Sequence, residues 1–82
     1  MSDVISSTLE VLKQAVEDRE EREPNKAVQT FSFVLDKPEQ ISVGSEIRDQ
    51  FVAWLKARFP KRTVRSDGYP DGGYKIMATV HN

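Results

Sequence analysis

Apolar residues recur along this chain in two rhythms, and each change of rhythm marks a new element. Near the start, "DVISSTLEVLKQAVEDREERE" places Ile5, Leu9, Leu12 and Val16 at spacings of four, three and four. That spacing is one face of a helix. Val4, Val11 and Ala15 are expected to widen the stripe. Ser7 with Glu10 fits a capping box, and Ser2 or Asp3 offers an earlier start. After Val16 the stripe stops and charge takes over. Asp18 and Arg22 are placed to attract across one turn. Pro24 disfavours helix in the residue before it. The pattern predicts a helix over about residues 3–23, with "EDREERE" as its solvated end.

The period then drops to two. In "KAVQTFSFVL", Phe31, Phe33 and Leu35 alternate with Thr30, Ser32 and Val34, which predicts a strand over about 27–35. "DKPEQ" reads as a connection. The helical period returns in "SVGSEIRDQFVAWLKARF". There Ile47, Phe51, Trp54, Leu55 and Phe59 share an arc of about 140°, predicting a helix over about 43–59. Ser42 or Ser45 is the expected cap, and Pro60 the stop. The three aromatics have core spacing rather than the look of a binding stripe. Arg58 falls inside the apolar arc, so its stem should cover the core while its head reaches water.

The remainder reads as a hairpin over about 61–80, with "YPDGG" at its turn. A three-residue loop there pairs Asp67 with Lys75, Arg65 with Met77, Val64 with Ala78 and Thr63 with Thr79. Val64 then shares a face with Tyr74, Ile76, Ala78 and Val80. Thr63, Arg65, Asp67, Lys75, Met77 and Thr79 share the other. "YKIMATV" is the more apolar arm and "KRTVR" the more polar, which puts the last strand at the sheet centre. The expected fold is α+β, one small domain over residues 1–82, in the order α-β-α-β-β. Its sheet is three-stranded and mixed, in the order first, last, middle. Both helices lie on one face, and the opposite face is open.

Charge changes this picture only locally. Residues 1–41 hold nine acids and five bases, and residues 42–82 hold four acids and seven bases. The first half opposes a general polyanion grip, and the second permits one around "RFPKRTVRSDGYPDGGYK". The chain has no cysteine, which removes disulfides and thiolate metal sites. No apolar run approaches a membrane span or a signal-peptide core. A cytoplasmic protein is expected.

No set of residues along the chain has the pattern of a catalytic site. His81 is the lone histidine, expected at a frayed end. "SDGYPDGG" lacks the spacing of a phosphate loop. Asp67 and Asp71 lack the ligand series of a calcium loop. The expected protein is therefore no enzyme, with no metal and no cofactor. A small non-catalytic module acting by protein–protein contact is the leading expectation, as in accessory or inhibitor proteins of phage type. Its candidate residues are Tyr69 and Pro70 at the hairpin tip and Arg65, Met77 and Thr79 on the open face, tyrosine and arginine being frequent anchors of interfaces. A homodimer through that face or a sheet edge belongs to the same class. The alternative is nucleic-acid binding by Lys56, Lys61, Arg62, Arg65 and Lys75. Asp67 and Asp71 weaken it, as does an open face with no aromatic pair for stacking bases. A third reading gives these cations to edge protection, since Lys and Arg on an edge strand deter pairing with other chains.

Overall fold

The opening helical rhythm forms α1, Asp3–Arg22, so the earlier start is the one used. The computed structural model describes residues 3–24, 26–67 and 75–82. Ser7 lies inside the helix, where its Oγ donates to the Val4 carbonyl at 3.4 Å, so it is not a cap. Leu9, Leu12 and Val16 are buried, while Val11 and Ala15 face solvent and narrow the expected stripe. The Asp18 carboxylate takes the Gln14 amide at 3.0 Å, and Arg22 donates to the Asp18 carbonyl at 3.4 Å. The expected side-chain attraction between Asp18 and Arg22 thus becomes a contact to the backbone.

The first strand, β1, spans Val28–Val34. The stretch read as a plain connection contains one helical turn, α2, Pro38–Ile41. Pro38 suits its first position, where the missing N–H costs nothing. Gln40 ties this turn down at both ends of its amide. Its Oε1 accepts the Lys37 N–H at 3.3 Å, and its Nε2 donates to the buried Thr8 Oγ1 at 3.0 Å. Next comes α3, Gly44–Arg58. Neither Ser42 nor Ser45 caps it. The residue before its first turn is Val43, and Ser42 Oγ turns back to the Glu39 carbonyl at 3.1 Å. With α2 running almost directly into α3, Ser42 closes one helix instead of opening the next.

The last two strands are β2, Thr63–Asp67, and β3, Lys75–His81. The sheet order is β1-β3-β2, with β3 at the centre. The sheet is antiparallel and not mixed as expected: the outer strands run parallel to each other, but β3 lies between them and meets each antiparallel. The hairpin register differs from the expected one. Asp67 faces Met77, Arg65 faces Thr79, Val64 faces Val80 and Thr63 faces His81. Lys75 faces Val34 on β1 instead of Asp67. Each β2 residue meets a partner two positions further along β3 than expected. Side-chain direction repeats every two residues, so the described side chains keep their expected faces; Tyr74 lies outside the described residues. His81 is not frayed: it pairs with Val28 on one side and Thr63 on the other.

One core joins both long helices to one face of the sheet. Leu9, Leu12 and Val16 of α1 meet Ile47, Phe51 and Leu55 of α3, with Phe59, over Phe31, Ile76, Ala78 and Val80. Val64 and Phe33 pack at its margin. Trp54 also sits at the margin, half-buried. It stacks on Phe51 with centroids 6.2 Å apart and lies under Lys13 Nζ at 5.8 Å. The fully enclosed aromatic is Phe51.

Candidate interaction surface

The face of the sheet away from the core is covered by neither helix. Val28, Thr30, Ser32 and Val34 of β1 lie on it, beside Lys75, Met77, Thr79 and His81 of β3 and Thr63 and Arg65 of β2. Strand alternation places them there, because each is one residue out of phase with a core-facing neighbour. Val28 and Val34 remain 57% and 55% exposed, which is high for such side chains in a folded domain. Between them the surface is hydroxyl-rich. Thr30 Oγ1 and Thr79 Oγ1 lie 3.3 Å apart across the β1–β3 pair. Of the residues expected to bind protein, Arg65, Met77 and Thr79 meet on this face; Arg65 and Thr79 are directly opposite each other. Tyr69 and Pro70 lie outside the described residues.

The cations expected to grip nucleic acid divide among several places. Arg65 and Lys75 belong to the open sheet face. Lys61 is exposed in the turn after α3. Lys56 is on the flank of α3, beside Arg48, Val52 and Ser66. Arg62 turns inward, and its Nη2 donates to the carbonyls of Lys26 and Ala27 at 2.5 and 2.9 Å. Its guanidinium also lies 5.7 Å from the Phe59 ring centroid. Arg62 therefore ties the end of α3 to the approach to β1, across some 35 residues of sequence. A guanidinium used in this way serves the fold.

Two more arginines serve as struts. Arg58 lies over the Phe59 ring at 5.4 Å and makes a two-pronged pair with Glu17 of α1, at 2.9 and 3.3 Å. The hydrogen bond from Arg58 holds the Glu17 carboxyl below its ordinary range, and the same bond raises Arg58. Arg19 lies 5.4 Å from the Phe31 ring and donates to the Thr30 carbonyl at 3.4 Å, bringing α1 against β1. Beside it, Glu23 is held below the ordinary range by its hydrogen bond to Lys26, 3.1 Å away.

Sequence reasoning missed these struts because each partner lies on a different element. It had a signal for two buried polar groups it passed over. Gln29 is in phase with Phe31, and parity alone puts it on the core face, where it is 2% exposed and donates to the Glu23 carbonyl at 3.2 Å. Thr8 sits beside Leu9 on the buried stripe. Among the described residues no three His, Asp or Glu side chains gather as metal ligands, and no helix is long and apolar enough to cross a membrane. Comparison with protein families, with curated proteins and with solved structures finds no match to this chain.

Proposed function

We propose that this protein is a small non-catalytic module that works by protein–protein contact through the open face of its sheet. One observation carries this reading. Of the four large apolar side chains left exposed among the described residues, Val28 and Val34 both lie on that single face. They flank Met77, two paired threonines and Arg65. Such a surface has apolar area to bury, hydroxyls to satisfy and an arginine near its rim, which is the anatomy of a protein interface. It is also stiff, because the reverse side of the same strands is the core. The role fits an accessory or inhibitor protein acting in the cytoplasm, and the lack of cysteine supports a reducing compartment. Nucleic-acid binding is the lesser reading, since Arg62 is already spent on two carbonyls.

The test is capture by immobilised protein, comparing the wild type with Met77→Asp, Val34→Asp and Val11→Asp. The first two place a charge on the open face, and the third places one on the exposed side of α1. Loss of a captured partner with Met77→Asp and Val34→Asp, at unchanged thermal melting, is the expected result. Loss with Val11→Asp alone would move the interface to α1 and overturn the reading.

A further inference from the structure

The sheet has two outer edges, and they are furnished differently. At β1 one side chain of α1, Arg19, reaches across to donate to the Thr30 carbonyl. Along β2 the neighbour is a groove of about 410 Å3, lined by Arg48, Asp49, Val52, Ala53 and Lys56 of α3 and by Ser66 of β2. Ser66 shares the core-facing side with Val64, yet it is exposed and opens onto this groove. In an edge strand alternate peptide groups face outward with no strand to receive them.

We propose that the β2 edge and this groove together receive an extended acidic segment of a partner protein, added to the sheet as a fourth strand. The proposal rests on the protein-binding reading and names the chemistry of the partner. Charge supports it. Arg48 and Lys56 stand at the two ends of the groove, Lys61 lies just before the strand, and Arg65 projects on its other side. Asp49, 3.3 Å from Arg48, offsets part of this charge, so Lys56 carries most of the expected attraction. Spacing supports it too. Residues eight apart on a helix are about 12 Å apart along its axis, close to the roughly 13 Å between every fourth residue of a strand. A strand with acids at the first and fifth positions and an apolar residue at the third would set its acids by Arg48 and Lys56. Its apolar residue would fall on Val52 and Ala53.

Other occupants fit less well. A second copy of β2 would bring Lys61 and Arg65 against their own kind. A nucleic acid would use the cations and leave both the edge peptide groups and the apolar floor unused. The same basic residues thus repel most strands and admit an acidic one, which gives the edge-protection reading a positive counterpart.

The test uses the full chain and a labelled peptide, Thr-Glu-Thr-Val-Thr-Glu-Thr, titrated by fluorescence anisotropy at low and physiological salt. Its lysine counterpart and its two alternately N-methylated forms are the comparisons. Only one methylated form should lose binding, because only alternate amides face β2. The lysine peptide should not bind, and Lys56→Glu should weaken the acidic peptide about tenfold. Met77→Asp, on the open face, should leave it unchanged. Equal binding of both methylated forms, or of the lysine peptide, would overturn strand addition. So would displacement of the peptide by a single-stranded oligonucleotide with Lys56→Glu weakening only the oligonucleotide. Absence of peptide binding while Met77→Asp still abolishes partner capture would overturn the edge site alone and leave the open-face reading standing.

Discussion

The two faces of this sheet are made by the same three strands and share no purpose. On one, Phe31, Ile76, Ala78 and Val80 are enclosed by two helices. On the other, one residue out of phase, Thr30, Ser32, Thr63 and Arg65 meet water between two exposed valines. The packed face tolerates little, because a buried side chain touches neighbours on every side. The open face lies under neither helix and tolerates more change, and it is therefore where recognition can be written. The contrast extends to the arginines. Arg62 points into the structure and Arg65, three residues on, points out of it.

The sharpest way to break this contrast is in the core. Phe51→Ala should cost about 3–5 kcal/mol, as truncation of an enclosed aromatic does. In a domain this small that approaches the whole stability, so circular dichroism should show an unfolded or barely folded chain. A normally melting Phe51→Ala would mean the core is elsewhere. Trp54→Ala removes a larger ring from the rim and should cost less than Phe51→Ala in the same urea titration. The reverse order would overturn the assignment of Trp54 to the margin.

The arginine pair gives the next effect in size. Arg62→Ala loses two charge-assisted hydrogen bonds to carbonyls. It should lower stability by about 1.5 kcal/mol, the low end for such bonds because the residue is only half-buried. Arg65→Ala should cost less than Arg62→Ala, because the contacts of an exposed charge are screened by water. Equal urea midpoints for the two variants would erase the distinction between strut and surface.

The smallest effect is electrostatic and depends on pH. Glu17 and Glu23 are held below their ordinary carboxyl range by Arg58 and Lys26. A lowered folded-state value means the folded protein binds the proton less readily than the unfolded chain. The contribution is therefore full above the unfolded value of about 4.3, and it is lost as pH falls through the lowered folded values. Glu17→Gln should melt slightly below the wild type at neutral pH. The gap should close under acid, once the wild-type carboxyl is protonated too. A gap independent of pH would show that the pair between α1 and α3 contributes nothing through charge.

Much of the fold was legible because it is written in period. The spacing of Leu9, Leu12 and Val16, the alternation around Phe31 and the apolar arc from Ile47 to Phe59 each carry their own element. The central place of β3 followed from its being the more apolar arm. The hairpin register did not follow from "YPDGG", which lies outside the described residues, because a turn motif specifies pairing only weakly beyond its own residues. In the structure Val64 sits opposite Val80, and a register two residues away keeps the same faces. The caps at Ser42 and Ser45 failed for a related reason: a short helical turn ahead of α3 had no periodic signal of its own. The candidate surface was half legible. Parity placed Arg65, Met77 and Thr79 together, whereas nothing local to Arg62 says that its partners lie at Lys26 and Ala27.

The central position of β3 has a consequence in time. A ribosome delivers the chain from its first residue onward, so β1 and β2 both emerge before the strand they need. Until β3 arrives neither has its partner strand, and Phe31 and Phe33 lack the Ala78 and Ile76 that they face in the sheet. Every pairing in the sheet is made by the strand that comes last. Among the described residues, both outer strands are thus joined into the sheet by one segment, and their pairing waits on it.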